Sequence, residues 1–462
     1  MKKQLIQATA KAFALAHGED DLFDATWDLY RRVAEPHSPR ERAQKAASEA
    51  LAVTLGYEGL KAAVEGTPTR QRGHRRIKRA PVAARYVVFS DHHLTHDGHR
   101  HDFFRSSGNL ALYVALLQAY RDRGYTVIED GDVEDLVVFD PALERAEVNA
   151  RRSVSLRELR TRRLATRLAQ LDRTLTCPGN QPLIRMWREL AAEGRLLRVS
   201  GNHDYDLQRP AFWKRVSAEL PGLERPFDYV LLDDAARQPK IVVAHGHQFD
   251  PNTAPPLAPR YGETISECLG AWFQGPDRHW SAQLPADGPA AWGGGARPFR
   301  NNLVNTKVGT DHGWAGVFEE VFQRNIAWEY FEHGALQAIL SEVATGERFF
   351  KFRHLDEERL RDALIDAFPD PTTRPILVLG HSHEPRLRAR HAGTGEAFPH
   401  YVNTASAGLF QNLIWGVELN AGEPRVVSWR RDEHARIERR TWRDANDGEN
   451  GWLMPDAPSP LS

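Results

Sequence analysis

Tyr86-Val87-Val88-Phe89-Ser90-Asp91-His92-His93 is the stretch that decides the fold. Four apolar residues are followed by two side chains, two positions apart, that can both bind a metal. A short β-branched and aromatic run predicts a buried strand, and side chains at i and i+2 of an extended chain point to the same side. Asp91 and His93 are therefore predicted to converge on one ion. Asp-x-His alone is a weak signal, because such triplets occur by chance in many chains.

The same order, a short apolar run and then a polar cluster, recurs four more times. Since ligands of α/β sheets bind beyond the carboxyl ends of the strands, this recurrence predicts one metal site built from separate strand ends. The apolar runs precede Gly131-Asp132, Gly201-Asn202-His203-Asp204, His245-Gly246-His247 and Gly380-His381-Ser382-His383.

Composition narrows the class of protein. The chain has 462 residues, 41% hydrophobic and 27% charged, which is typical of a large globular protein. A net charge of −1 gives no overall attraction to nucleic acid or an anionic membrane. Two cysteines argue against a disulfide scaffold and thiolate metal sites, while 20 histidines supply nitrogen ligands. Without an apolar run of about 18 residues or a secretory signal, we expect no transmembrane segment and a cytoplasmic location.

The pattern of periodicities predicts an α/β chain in five parts. Residues 1–80 form a helical bundle and basic linker, in which Ser38-Pro39-Arg40-Glu41 is a capping box. Docking on the main domain is favoured over a DNA-binding helix-turn-helix for this part. The main domain comprises residues 81–250 and 371–440, whose last strands include a hairpin turned by Asn420-Ala421-Gly422 and assigned to a second sheet. Residues 251–370 are an inserted helical lid or cap, or a structural elaboration with its own core, and residues 441–462 form a loose tail.

An arginine-rich helical segment lies between Asp140 and about Gly194. A solvated helix face is the favoured interpretation. The alternative is an anion-recognition arm, since the segment joins two of the polar clusters.

Collected, the clusters offer oxygen and nitrogen ligands without sulfur, which suits Mn, Fe or Zn rather than Ca. Two ions roughly 3.5–4 Å apart can lower the pKa of a bridging water and hold a phosphoryl group in line with it. The chemistry indicated is phosphoester hydrolysis, with manganese favoured. The side chains that contribute ligands are Asp91, His93, Asp132, Asn202, His245, His381 and His383.

The order Asp-x-His, Gly-Asp, Gly-Asn-His-Asp, His and Gly-His-x-His resembles the calcineurin-like metallophosphoesterase superfamily, over residues 86 to about 405. The form of the motifs is most similar to the bacterial branch that includes UDP-diacylglucosamine pyrophosphohydrolases. It differs from Ser/Thr protein phosphatases, because no Asp-Arg-Gly segment follows Asp132 and position 204 is Asp. The resemblance implies a double β-sheet sandwich flanked by helices.

The resemblance also implies a role for each matching residue. Asp132 would bridge two ions, and His203 would act as the acid that is not a ligand, with Asp204 orienting its imidazole. One ion would be held by Asp91, His93 and His383, and the other by Asn202, His245 and His381.

We therefore expect a hydrolase of a phosphodiester or pyrophosphate bond in a small or lipid-linked molecule. The alternatives are a nuclease acting on DNA or RNA, a phosphomonoesterase, and a non-catalytic scaffold that binds a partner. In a nuclease, the arginine-rich helix and the basic linker would be the positively charged surface that binds nucleic acid. Five further histidines could be outer-shell groups or merely solvated, and are not assigned as ligands: His92, His96, His99, His101 and His247.

Overall fold

The computed structural model describes residues 38–67, 76–99, 103–106, 108–137, 156–250, 253–255, 357–382, 385–387, 389–390, 397–408, 412–431, 434–444, 453–455 and 459–460. Residues 1–37, most of the basic linker, nearly all of the predicted insertion and the predicted ligand His383 lie outside this set.

Strands and helices alternate through the first half of the described chain. The strands are β1 (Ile77–Pro81), β2 (Arg85–Phe89), β3 (Thr126–Asp130), β4 (Leu196–Val199), β5 (Tyr229–Asp233), β6 (Pro239–Val243), β7 (Ile376–Leu379), β8 (Pro385–Arg386), β9 (Ala389–Arg390), β10 (Ala397–Phe398), β11 (Tyr401–Thr404), β12 (Leu413–Asn420), β13 (Glu423–Arg431), β14 (Ile437–Asp444), β15 (Leu453–Pro455) and β16 (Ser459–Pro460). The α-helices are α1 (Pro39–Glu65), α2 (Phe103–Ser106), α3 (Asn109–Asp122), α4 (Leu156–Thr176), α5 (Gln181–Ala192), α6 (Pro210–Glu219) and α7 (Glu357–Ala367), and short 3₁₀ turns cover Pro178–Asn180, Tyr205–Gln208 and His247–Phe249.

Two mixed sheets form the centre of the described structure. The six-stranded sheet has the order β1-β5-β6-β7-β11-β8. The eight-stranded sheet runs β15-β14-β13-β12-β2-β3-β4, with β16 also paired to β14. Strands β9 and β10 form a separate antiparallel pair.

Three apolar cores arrange these elements in four layers. One core lies between the two sheets and includes Val88 from β2 and Val243 from β6. A second lies between the eight-stranded sheet and helices α3 to α6, and a third between the six-stranded sheet and helices α1 and α7. The architecture is therefore α/β, as the periodicities predict, with two sheets packed together and helices on both outer faces.

The alternation of side chains along β2 explains how one strand serves two cores. Val87 and Phe89 belong to the core under the helices, whereas Tyr86 and Val88 belong to the core between the sheets. Side chains of a strand alternate between faces, so a strand buried on both sides needs a continuous apolar run. All four of these residues are buried.

The parallel pairs determine where the chain can build a site. Strands β2, β3 and β4 are parallel neighbours in one sheet, and β6 and β7 are parallel neighbours in the other. The loops that follow parallel neighbours emerge at the same edge. These five loops contain the five polar clusters.

Local signals in the sequence are confirmed at two places. Helix α1 begins after Ser38, whose hydroxyl accepts the backbone N–H of Glu41 at 3.1 Å, with Pro39 at the first helical position. The predicted hairpin is formed by β12 and β13 through the two-residue turn Ala421-Gly422, whose φ angles are 51° and 87°. These angles suit a type I′ turn.

Three predictions of organisation are wrong. The hairpin does not belong to a different sheet from β2, because β12 pairs with β2. Residues 77–80, assigned to the linker, pair with β5 as part of β1. The tail is not loose where it is described, because β15 and β16 each pair with β14 and so satisfy backbone groups at this edge.

Candidate metal centre

The polar clusters meet at the edge where the parallel strands end. Among the described residues, acidic and histidine side chains form three groups, and within each group the ligand atoms lie within 4.8 Å of one another. We refer to them as the Asp91 cluster (Asp91, His93, Asp132), the His245 cluster (Asp132, His245, His381) and the His203 cluster (His93, Asp135, His203).

The Asp91 cluster follows β2. Oδ2 of Asp91 accepts the backbone N–H of His381 at 3.0 Å and the hydroxyl of Ser90. Oδ1 lies 3.9 Å from Nε2 of His93 and 3.9 Å from Nε2 of His245. One carboxylate oxygen therefore ties two loops together, and the other faces the two imidazoles.

Asp132 belongs to both the Asp91 cluster and the His245 cluster. Its Oδ1 accepts the backbone N–H of His203 at 2.8 Å. Its Oδ2 lies 3.2 Å from Nε2 of His245 and 4.0 Å from Nε2 of His93. This carboxylate lies between the ligands of the two clusters, the position in which a residue could contact two ions.

His245 is held in one tautomer. Its Nδ1 lies 2.7 Å from the backbone carbonyl oxygen of Asp130, to which it can only donate. Nε2 is then the ligand atom, and it lies 3.3 Å from Oδ1 of Asn202. Such contacts on the far ring nitrogen are the usual way in which proteins orient a metal-binding histidine.

His381 is oriented by residues that the sequence analysis does not assign. Its Nε2 lies 3.0 Å from Oδ2 of Asp250 and 3.3 Å from the hydroxyl of Thr253. The available signal for Asp250 is that a carboxylate follows His245 within the same polar block.

The partner of His203 differs from the predicted one. Oδ1 of Asp135 lies 3.0 Å from Nδ1 of His203, and Oδ2 of Asp135 lies 3.6 Å from Nδ1 of His93. Asp204 instead accepts the backbone N–H groups of Val133 at 2.9 Å and Gly201 at 2.7 Å. Its carboxylate is engaged in joining the loops after β3 and β4, so Asp135 is the residue that orients the imidazole.

Glycines allow the loops to approach this closely. A Cβ atom at Gly131 would lie 2.6 Å from the ring of His245, and one at Gly201 would overlap the carboxylate and backbone amide of Asp132. A Cβ at Gly380 would lie 2.7 Å from Oδ2 of Asp91. A side chain at Gly131, Gly201 or Gly380 would therefore collide with another loop of the centre.

Negative charge dominates the buried centre. Burial lowers the pKa of His245, but the carboxylates of Asp132 and Asp91 outweigh it and raise the pKa to about 10. Burial and the charge of Asp132 raise the pKa of Asp204 to about 7. Burial also raises the pKa of Asp130 well above its usual value. A buried group of carboxylates of this kind is stabilised by added positive charge.

The donor set fits a metal ion. Carboxylate, amide and imidazole donors converge here, and mixed oxygen and nitrogen sites of this type bind Mn, Fe or Zn. His93, 16% exposed, is the side chain of the three clusters that reaches solvent, whereas the others are almost fully buried. A small molecule would therefore approach from the side of His93.

Other histidines lie near the centre without joining it. His92 is fully buried, with Nε2 3.4 Å from Oε2 of Glu129, and burial lowers its pKa to about 3. His247 is also buried, with its ring centroid 5.5 Å from that of His245. His96 and His99 are buried next to each other, and His101 lies outside the described residues.

The arginine-rich helix is only partly solvated. Arg167 is buried and donates to Oδ2 of Asp206 at 2.9 Å. Arg162 is on the exposed side and pairs with Glu158 of the same helix at 3.1 Å. Neither pairing favours an anion-recognition arm.

Comparisons with protein-family models, with curated proteins and with solved structures found no significant match for this chain. In the part of the chain that the structure describes, we find no helix whose length and apolar character would allow it to cross a bilayer.

Proposed function

We propose that this protein is a metal-dependent phosphoesterase that binds two divalent ions and hydrolyses a phosphodiester or pyrophosphate bond. The observation that carries the proposal is the position of Asp132, whose Oδ2 lies between His93 and His245 in two adjoining clusters. The motifs that resemble the calcineurin-like superfamily support it, because six of their residues occupy these clusters: Asp91, His93, Asp132, His203, His245 and His381. Two divalent ions bound there would polarise a phosphoryl group and acidify water for its attack.

The protein's own groups have separable roles in this proposal. Asp91, His93 and Asp132 would hold one ion together with His383, which lies outside the described residues. Asp132, Asn202, His245 and His381 would hold the other. Asp135 holds Nδ1 of His203 at 3.0 Å, so Nε2 is the atom from which this ring would give a proton to the leaving oxygen. A carboxylate at Nδ1 stabilises the imidazolium form that carries this proton.

The test compares hydrolysis of bis(p-nitrophenyl) phosphate and p-nitrophenyl phosphate in Mn²⁺. We expect diester preference in the wild-type protein and at least a hundredfold loss in Asp132→Asn. The control is Asp122→Asn, which makes the same change at an exposed helical site whose carboxylate accepts a hydrogen bond from Gln118 in the same helix. Wild-type rates for Asp132→Asn would refute the proposal.

Other outcomes identify the alternatives. Monoester preference would indicate a phosphomonoesterase. DNA or RNA cleavage with a steep salt dependence would indicate a nuclease. Tight Mn²⁺ binding without hydrolysis of any phosphoester would favour the scaffold.

A further inference from the structure

Helix α1 lies against the turn that carries one of the orienting carboxylates. The turn is His247–Phe249, which begins two residues after His245 and is followed by Asp250. The ring of Tyr57 in α1 stacks on that of Phe249, with centroids 5.1 Å apart and planes at 28°. Leu60 of α1 is 1% exposed and packs in the same core as Phe249. The helix therefore packs on the turn that precedes Asp250.

The closest approach occurs at Gly56. A Cβ atom at this position would overlap the backbone carbonyl of Gln248. Glycine inside a helix costs about 1 kcal/mol relative to alanine, so helix formation does not account for it. The approach of the turn does account for it, because a backbone carbonyl cannot rotate away as a flexible side chain can.

The turn transmits the position of α1 to the His245 cluster. The backbone N–H of Asp250 bonds to the carbonyl of His247 at 3.3 Å, and that of Ala254 bonds to the carbonyl of Asp250 at 2.8 Å. Oδ2 of Asp250 lies 3.0 Å from Nε2 of His381. A displacement of the turn would therefore move the carboxylate that orients this imidazole.

We propose that Gly56 and Tyr57 are positioning residues for the ion of the His245 cluster, acting through Asp250 and His381. The inference rests on the proposed metal centre. Residues that orient a ligand in this way contribute about 10- to 100-fold to metal affinity. Helix α1 is then needed to complete the centre, in addition to packing on the sheet.

The test measures Mn²⁺ stoichiometry and affinity by titration calorimetry on the full chain. We expect the wild type to bind two ions, and Gly56→Ala to bind one of them about tenfold more weakly. Alanine favours the helix, so this variant perturbs the turn rather than α1 itself. The control is Thr54→Ala, which also raises helix propensity but alters an exposed residue that bonds to Ala50 in the same helix.

A double-mutant cycle separates positioning from a general effect on structure. If Gly56 acts through Asp250, the loss of affinity in Gly56→Ala combined with Asp250→Asn will equal that of Asp250→Asn alone. If the double variant instead shows the product of the affinity losses of the two single variants, the inference is overturned. A folded Gly56→Ala protein with wild-type affinity for both ions would also overturn it.

Tyr57 provides an independent readout if Gly56→Ala does not fold. Tyr57→Ala should lower the affinity for one of the two ions severalfold. Tyr57→Phe, which keeps the stacked ring, should bind that ion with wild-type affinity. Equal affinities in all three proteins would overturn the inference. A wild-type protein that binds no Mn²⁺ would refute the metal centre itself, whereas the expected losses without any hydrolysis would refute only the phosphoesterase activity.

Discussion

Asp135→Asn is the substitution that most directly tests the chemistry of the centre. The carboxylate of Asp135 faces Nδ1 of His203 at 3.0 Å and Nδ1 of His93 at 3.6 Å. An asparagine has the same shape but can offer only one accepting oxygen, so its NH₂ group must face one of the two rings. We expect His203 to lose its preferred tautomer and the stabilisation of its protonated form.

The magnitude follows from the distances. A hydrogen bond to a charged group contributes roughly 1.5–3 kcal/mol, which corresponds to about 10- to 150-fold in kcat. The contact with His93 is longer than a hydrogen bond, so the loss of Mn²⁺ affinity should be below about tenfold. Since the lost carboxylate no longer favours the imidazolium, the limb of the pH profile on which activity falls with rising pH should move to lower pH.

The assay is the pH dependence of kcat for the diester at saturating Mn²⁺, with Asp204→Asn as the matched control. Asp204 contacts the backbone amides of Val133 and Gly201, so its substitution should lower the midpoint of thermal unfolding and displace that limb less than Asp135→Asn does. Wild-type kcat in Asp135→Asn, or equal displacement of the limb in both variants, would refute the assignment of Asp135 as the partner of His203.

Three further predictions concern metal binding and stability. The pKa of His245 is raised to about 10, so Mn²⁺ must displace its proton. Below that pH the affinity for Mn²⁺ should therefore rise about tenfold per pH unit. Calorimetry in two buffers measures the released proton, and a pH-independent affinity would contradict the prediction. Burial raises the pKa of Glu129 from 4.5 to about 7, so the folded state holds a proton that the unfolded state releases, and stability falls as pH rises through that window. By linkage, the wild type should lose about 3 kcal/mol of unfolding free energy relative to Glu129→Gln over this range. Urea unfolding of both proteins at pH 4.5 and 8 measures this loss. The same change in unfolding free energy in both proteins would contradict the prediction. Gly201→Ala should displace Asp132 and lower the affinity for Mn²⁺ by about 100-fold or more. The control is Gly194→Ala, at a left-handed glycine with no atom within 4 Å of an added Cβ, and it should lower only the stability of the fold. Comparable Mn²⁺ affinity in the two variants would contradict the steric argument.

The sequence predicts the strand ends of the site because each apolar run is followed at once by a polar block. The apolar run from Tyr86 to Phe89 and the polar block after it define both a buried strand and its last residue, which is why Asp91 is found where it is expected. The same logic locates the other loops. It needs no knowledge of which strands are neighbours.

Contacts between the polar blocks depend on the tertiary structure. A pattern within one stretch of sequence therefore does not predict them. Asp135 and Asp204 are both acidic residues within the polar blocks, and only the fold decides which one meets His203. The contact between Asp250 and His381 joins residues 131 positions apart. The pairing of β12 with β2 is also tertiary, since a hairpin carries no signal for its outer neighbour.

Backbone conformation at the centre gives an independent reason to regard these residues as functional. Asp91, His93, Asp132 and His381 have φ angles of 56°, 49°, 51° and 63°, a region that costs a residue with a side chain roughly 1–2 kcal/mol relative to glycine. Local propensity would therefore place glycine at each position. The loops are held there by one another, since the N–H of Asp91 bonds to the carbonyl of Gly131 at 3.1 Å and that of His93 to the carbonyl of Asp132 at 3.0 Å. Four of the nine described residues that have a positive φ and are not glycine are thus ligand-type side chains of this centre. Such a site keeps its chemistry at a cost in stability, because glycine would relieve the strain but could bind no ion.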